Sequence, residues 1–139
     1  MQEKEIIKIA QKIEKAGGRL YLVGGAVRDD LLGKKTHDED YCVTGIPAEQ
    51  FQKIFPEVHI RGKAFEVFDM YGKEFAIART ESKYGVGHKE FEINTSPNIT
   101  IEQDLARRDI TINSIAKDVL TGEIIDPFNG RKDIENKII

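Results

Sequence analysis

The feature that most constrains the fold is an apolar run that stops abruptly at two glycines. Leu20 to Val23 has the composition of a buried strand, and Gly24 and Gly25 break it. The pattern then changes to helical spacing from Ala26 to Leu32, and Gly33 provides a stop. A strand, a glycine turn and a helix in direct succession predict a domain in which helices pack against a sheet.

The segment from Asp38 to Val43 alternates with period two, which is the pattern of a strand with two different faces. Asp38 and Asp40 fall on one face with Cys42, whereas Tyr41 and Val43 fall on the other. Two carboxylates side by side repel each other unless a cation offsets the charge, and Mg²⁺ prefers carboxylate oxygens together with phosphate oxygens and water. For an isolated Asp-x-Asp, two acids solvated at the end of a strand remain the plainer interpretation.

The remaining pattern predicts a mixed sheet flanked by helices. Isoleucines at helical spacing from Ile6 to Ile13 predict a packing helix that stops at Gly17 and Gly18. The stretch from Glu81 to Asn98 has no sustained period and is predicted to be a long loop. The other predicted elements are a helix with Pro47 in its first turn, a hairpin around Tyr71 to Lys73, a helix capped by Thr100, and a pair of strands around Thr121 and Gly122.

Composition limits the kind of protein this is. A length of 139 residues fits one compact domain, and 40% hydrophobic with 32% charged residues indicates a globular chain. The net charge of -3 offers no general attraction for nucleic acid, so affinity for phosphate must come from local groups or from a metal. Cys42 is the only cysteine, which excludes an intrachain disulfide partner. Residues 1–15 lack an unbroken apolar stretch, so we expect a cytoplasmic protein with no membrane span.

The glycine turn is also a candidate phosphate site, because the first N–H groups of a helix are free to bind an anion. Arg28, about one turn into the helix, is within reach of the same phosphates. The plainer interpretation is that the glycines only make a tight turn and that Arg28 is a surface residue. The phosphate loop of common ATPases is absent, because Gly33-Lys34 lacks the required upstream glycine, and no G-x-G-x-x-G follows a strand.

Four segments, in this order and at this spacing, resemble the head of bacterial tRNA nucleotidyltransferases and their poly(A) polymerase relatives, members of the polymerase-β-like nucleotidyltransferase superfamily. The resemblance extends from Tyr21 to Ile139. It implies an α+β fold with a mixed β-sheet flanked by helices. The segments are Leu22 to Asp29, Asp38-Glu39-Asp40, Arg107 to Asn113, and Asp126-Pro127-Phe128-Asn129-Gly130.

The resemblance also assigns roles to the metal and phosphate residues. It implies that Gly25 and Arg28 bind the triphosphate of ATP or CTP and that Gly24 shapes the turn that lets them do so. Asp38 and Asp40 are expected to ligate Mg²⁺ in a two-metal site.

The ribose and a third acid are assigned in the same way. Arg108 is expected to contact the nucleotide, while Asp109 and Asn113 orient and recognise its ribose. Glu74 stands in a segment similar to the family's third acidic strand and is a catalytic candidate beside Asp38 and Asp40. An ordinary exposed acid at a strand end explains Glu74 equally well.

The function implied is template-independent nucleotidyl transfer from CTP and ATP to the 3′ end of tRNA, which completes or repairs the CCA terminus. Two alternatives stay open: the head of a poly(A) polymerase, and a non-enzymatic module that binds nucleotide or RNA. Residues 1–139 are expected to be the catalytic head alone, without the neck, body and tail of a longer parent. Base selectivity is then expected to lie beyond Ile139, and ordered CCA addition should be undetectable with the isolated head.

Overall fold

The structure is a computed structural model that describes residues 3–33, 39–62, 67–83, 91–95, 97–107 and 114–128. The candidate residues Asp38, Arg108, Asp109 and Asn113 lie outside this range. Among the described helices, none is long and apolar enough to cross a membrane. The helices are α1 (Glu3–Lys15), α2 (Gly25–Leu31), α3 (Ala48–Ile54) and α4 (Ile101–Ala106). The strands are β1 (Arg19–Val23), β2 (Asp40–Thr44), β3 (His59–Gly62), β4 (Val67–Met70), β5 (Lys73–Ile77), β6 (Arg79–Lys83), β7 (Phe91–Thr95), β8 (Ala116–Asp118) and β9 (Ile124–Ile125).

Seven of these strands form one mixed sheet in the order β3-β4-β5-β2-β1-β8-β9. Among its neighbouring strands, β2 and β5 run parallel, and the other pairs are antiparallel. Strands β6 and β7 form a separate two-stranded sheet. The predicted mixed sheet with flanking helices is therefore confirmed, and the fold class is α+β.

The main core lies between one face of the sheet and helices α1 and α3. Phe51 of α3 is fully buried, and its ring lies 5.1 Å from the Phe68 ring and 6.0 Å from the Phe75 ring. The isoleucine stripe of α1 packs here too, as its spacing predicts. The buried residues of this main core are Ile6, Ile9, Ala10, Ile13, Leu20, Tyr41, Val43, Ile46, Phe51, Phe55, Phe68, Met70, Phe75 and Ile77.

A second, smaller core lies on the opposite face of the sheet, beneath α4. Its buried residues are Val23, Cys42, Ala78, Ile101, Leu105 and Ala116. Thr100 caps α4 by accepting a hydrogen bond from the Gln103 N–H at 3.2 Å, and the Gln103 side chain accepts one from the Thr100 N–H. This capping box confirms the predicted start of the helix.

Two glycine-containing turns end their elements as the sequence predicts. Gly17 has a φ of 98°, and Gly18 donates from its N–H to the Ile13 carbonyl at 2.9 Å, which ends α1 in a Schellman motif. Tyr71 and Gly72 have φ values of 53° and 74° and connect β4 to β5, as in a type I′ hairpin.

Two parts of the fold differ from the prediction. The long loop predicted from Glu81 to Asn98 contains strand residues, because β6 and β7 pair from Arg79 and Thr95 to Lys83 and Phe91. The sequence of β6 is polar throughout, so the short alternation of β7 at Phe91, Ile93 and Thr95 did not predict a pair of strands. Strand β3 was also not predicted, because only its pairing with β4 identifies this short edge segment.

Close packing against the end of α1 explains why position 45 is glycine. Gly45 has a φ of 82°, and a Cβ built there would lie 2.7 Å from the Gly17 carbonyl oxygen and 2.8 Å from the Gly18 Cα. Gly122 has a similar φ of 77°, but a Cβ there would meet no atom within 4 Å. The two positions therefore separate backbone strain from steric overlap.

We predict that Gly45→Ala destabilises the chain more than Gly122→Ala. The positive φ costs about 1–2 kcal/mol at either position. The backbone overlap at position 45 adds about 1–3 kcal/mol, the usual range for overpacking. Urea denaturation of the two variants measures the difference, and equal losses would show that the approach of Gly45 to Gly17 is not close.

Candidate active site

Register partners on neighbouring strands place acids in a row across the sheet. Asp40, the first residue of β2, lies opposite Glu74 of β5 and opposite Val23, the last residue of β1. Glu74 lies in turn opposite Asp69 of β4. The row therefore brings acids from three adjacent strands to one level of the sheet, with Asp40 next to the end of β1.

The acids and the main core occupy opposite faces of the sheet. Tyr41 and Phe75, the next residues of β2 and β5, are buried in the main core. Because side chains alternate between faces along a strand, Asp40 and Glu74 project from the other face, on which Cys42 packs in the smaller core. Asp40 is exposed and Glu74 is partly exposed, so solvent reaches both residues.

The glycine turn leaves the sheet at the same level. Gly24 directly follows Val23 and is buried with a φ of 70°, a conformation that favours glycine. Its carbonyl accepts a hydrogen bond from the Val27 N–H at 3.1 Å as α2 begins at Gly25. Arg28 lies in α2, one turn after Gly24. The strand, glycine turn and helix are therefore confirmed, and they meet the sheet beside Asp40.

Strand β8, which follows the segment from Arg108 to Asn113 in the sequence, begins at this edge as well. Its first residue is Ala116, and Ala116 lies opposite Val23. Ala116 also lies opposite Ile125, which directly precedes Asp126. The described residues that lie within or near the four resembling segments therefore meet at one end of the strands, and they are Val23, Asp40, Ala116 and Ile125.

Asp104 is a buried acid that the sequence did not single out. It is 1% exposed and accepts a hydrogen bond from the Arg79 N–H at 2.9 Å. Its carboxylate also pairs with Arg107 Nε at 3.5 Å. Asp104 thereby fixes the point at which the chain passes from β5 to β6 and the end of α4 that precedes Arg108. Its place beside Leu105, three residues after Ile101, was the available signal, because it falls on the apolar face of the helix.

Neither tyrosine near the acids is a candidate base. Burial raises the pKa of the Tyr41 hydroxyl, and the neighbouring Glu39 carboxylate raises it further. Burial likewise raises the pKa of Tyr21, with the charge of Asp118 acting in the same direction. Both phenols are therefore protonated at neutral pH.

Asp40 and Glu74 fit a divalent cation by the chemistry of their donors, because Mg²⁺ prefers carboxylate oxygens with phosphate oxygens and water. They lie opposite each other on parallel strands, and Asp38 lies outside the described range. In the part of the chain that the structure describes, no group of three or more His, Cys, Asp or Glu side chains is arranged to hold a metal. The pair offers two acidic donors, and further ligands would come from Asp38, substrate or water.

Comparison with known families agrees with this arrangement. The profile described as "Poly A polymerase head domain" matches residues 20–139, which is most of the chain. The chain belongs to this family. The family match includes the glycine turn, both acidic strands and the segment from Arg108 to Asn113.

Curated relatives of this head domain are longer proteins. The "Multifunctional CCA protein" of Pseudoalteromonas atlantica is 49% identical over 124 residues, which cover 87% of this chain and 30% of that protein. The "CCA-adding enzyme" of Buchnera aphidicola subsp. Cinara cedri is 49% identical over 125 residues, which cover 87% of this chain and 29% of that protein. The chain therefore spans less than a third of the length of these relatives.

Solved structures share the fold of this head domain. The Bacillus stearothermophilus CCA-adding enzyme in complex with CTP has a TM-score of 0.75 and 34% identity, over 97% of this chain and 32% of that one. A tRNA nucleotidyltransferase complexed with a primer tRNA and an incoming ATP analog has a TM-score of 0.71 and 33% identity, over 94% of this chain and 37% of that one. The resemblance and the nucleotidyltransferase head fold predicted from the sequence are confirmed.

We predict that Asp104→Ala destabilises the head by about 3 kcal/mol, the scale of removing one partner from a buried ion pair. The variant leaves the Arg79 N–H and the Arg107 side chain without the carboxylate that they share. Glu102→Ala on the same helix is the control, because Glu102 is exposed, and it should cost less than about 1 kcal/mol. Chemical denaturation compares the two variants, and equal stability would show that the Asp104 carboxylate does not stabilise the start of β6 and the end of α4.

Proposed function

We propose that this chain catalyses nucleotidyl transfer from CTP and ATP to the 3′ end of tRNA, as the head of a CCA-adding enzyme. The observation that carries the proposal is the alignment of Asp40 with Glu74 beside Val23, where the glycine turn leaves the sheet. This edge offers acidic donors on one side and a helix start on the other. Nucleotidyl transfer needs both, since it requires a metal-binding group and a place for the triphosphate.

The names of the relatives support this choice of substrates. Solved relatives include a complex with CTP and a complex with a primer tRNA and an ATP analog. Curated relatives carry the names "Multifunctional CCA protein" and "CCA-adding enzyme". Addition of CCA to tRNA is the activity that agrees with all of these names, and the cytoplasm is its proposed compartment.

In the proposed mechanism, the chain binds and orients the reactants and forms no covalent intermediate. Gly24 and Gly25 let the triphosphate approach the start of α2, and Arg28 pairs with its β- and γ-phosphates. Asp38 and Asp40 hold the metal site, and Glu74 supports it from β5. When bound, two Mg²⁺ ions supply the positive charge that activates the attacking 3′-hydroxyl and stabilises the pyrophosphate leaving group.

The nucleoside is proposed to contact the segment that precedes Ala116 in the sequence. Arg108 contacts the nucleotide, and Asp109 and Asn113 recognise the ribose hydroxyls. These groups touch features that all four ribonucleotides share. Base selection and the grip on tRNA are therefore proposed to belong to other parts of a longer protein, for which residues 1–139 form the head.

We predict that the full-length protein adds C, C and A to tRNA that lacks its CCA end when CTP and ATP are both supplied. With CTP alone, addition should stop before the terminal A. A run of A residues added with ATP alone would assign the head to a poly(A) polymerase instead. Binding of nucleotides without any transfer in Mg²⁺ would indicate the non-enzymatic alternative.

We also predict that Asp40→Asn lowers transfer by the full-length protein at least about a hundredfold, the scale of losing one key electrostatic group. The fold should persist, because Asp40 is exposed at the start of its strand. The measurement is the single-turnover rate of CMP incorporation at saturating CTP.

Asp69→Asn is the matched control for this variant. It removes an acid from the same row of register partners, but two strands farther from the glycine turn than Asp40. Its rate should stay within a few-fold of the wild-type rate. Equal losses in the two variants would mean that general negative charge, rather than the position of Asp40, accounts for the effect.

A further inference from the structure

An ion pair joins the starts of the two parallel strands. Lys73 Nζ donates to Glu39 Oε1 at 2.5 Å, between residues 34 positions apart in the sequence. Lys73 is the first residue of β5, and Glu39 directly precedes β2. The pair therefore lies one position before the register partners Asp40 and Glu74.

Tyr41 extends this contact along the same face. Its hydroxyl lies near the Glu39 carboxylate, whose negative charge raises the pKa of the phenol, and its ring stacks on Phe75 with centroids 5.2 Å apart and planes 15° from parallel. Tyr41 is 4% exposed and Phe75 is fully buried. Glu39, Lys73 and Tyr41 together form what we call the strand clamp.

The strand clamp and the acids lie on opposite faces of the same two strands. Glu39 and Asp40 are consecutive residues, as are Lys73 and Glu74. Consecutive side chains of a strand point to opposite faces of the sheet. Any shift of β2 along β5 would break the ion pair on one face and move Asp40 away from Glu74 on the other. The contacts on the core side therefore fix the spacing of the carboxylates on the solvent side.

We propose that Lys73 and Glu39 are positioning residues for nucleotidyl transfer: their ion pair holds the starts of β2 and β5 in the register that aligns Asp40 with Glu74. This inference rests on the proposed function of that pair of acids. Neither residue touches the reactants, and both act through the strands that carry them. Glu39, the central residue of Asp-x-Asp, thereby serves the two acids that flank it.

Burial distinguishes this pair from an ordinary surface ion pair. The Lys73 and Glu39 side chains are 14% and 29% exposed, whereas those of Arg19 and Glu14 are 42% and 49% exposed. Solvent screens exposed pairs, so they contribute little to structure. Arg19 also begins β1 and so lies at the other end of that strand from Val23, which makes its pair a suitable control.

The test uses four variants of the full-length protein. Lys73→Met removes the cation and keeps most of the aliphatic stem. The double variant Glu39→Lys with Lys73→Glu reverses the pair and restores the attraction. Tyr41→Phe removes only the hydroxyl, and Glu14→Gln breaks the exposed control pair while the contact of Arg19 with Asp118 stays in place.

Each variant is characterised by backbone hydrogen exchange and by the kinetics of nucleotide transfer. Backbone hydrogen exchange follows the amides of residues 40–43 and 74–76, which report the pairing of β2 with β5 whether or not the protein transfers nucleotide. The kcat for CMP incorporation and the Mg²⁺ concentration at half-maximal rate report the alignment of the acids.

Lys73→Met should accelerate exchange of these amides about tenfold, which corresponds to about 1.4 kcal/mol. Its kcat should fall about tenfold or more, because small displacements of reacting groups carry losses of that order. The Mg²⁺ requirement should rise, and the reversed pair should recover most of each loss. Tyr41→Phe should show a smaller change of the same kind, and Glu14→Gln should match the wild type.

Wild-type exchange and Mg²⁺ dependence in Lys73→Met would overturn the inference, and so would a reversed pair no better than Lys73→Met. Failure of the proposed function has a different signature, since the wild-type protein itself would then transfer no nucleotide. In that case hydrogen exchange still decides whether the pair fixes the register of the strands.

Discussion

The parallel pairing of β2 with β5 is the constraint on which the rest of the site depends. Two antiparallel neighbours joined by a short hairpin are set by their turn, but parallel neighbours need a longer connection and have no turn to fix their register. Here the connection contains α3, β3 and β4. Register must come from contacts between the strands themselves, and the stacked rings of Tyr41 and Phe75 supply one of them.

The two faces of the sheet have different roles: one packs the main core, and the other carries the candidate metal-binding acids. On one face, aromatic residues around Phe51 fill the main core and fix the strands. On the other face, the smaller core beneath α4 leaves the Asp40 and Glu74 side chains accessible to solvent. Acids that repel one another destabilise the pairing of their strands, so contacts in other parts of the sheet must stabilise it. The aromatic face provides that support, and α4 closes the remaining apolar part of the opposite face.

Local patterns in the sequence predicted the parts of the fold that short-range forces determine. The stripe of α1, the capping box at Thr100 and the break at Gly24 each depend on residues within a turn or two of one another. The alternation around Asp40 predicted which residues share a face, and the resemblance to nucleotidyltransferase heads then gave those acids a role. Family membership and fold class could therefore be predicted without coordinates.

Long-range contacts explain what the sequence did not reveal. Nothing near Lys73 indicates that its partner is Glu39, since register between parallel strands is decided by the whole sheet. The position of Asp104 on the apolar face of α4 indicates burial, but its partner, the Arg79 N–H, lies 25 residues earlier in the sequence and could not be predicted. The pairing of β6 with β7 was missed because the polar sequence of β6 shows no sustained apolar period.

The most direct test of the central claim is a crystal structure of the full-length protein with Mn²⁺ and a non-hydrolysable CTP analogue, in which anomalous scattering locates the metal. We expect a metal bound to the Asp40 carboxylate on the face opposite Tyr41, with the triphosphate against the Gly24-Gly25 turn. A nucleotide bound with its phosphates away from this turn, or a metal bound without contact to Asp40, would contradict it.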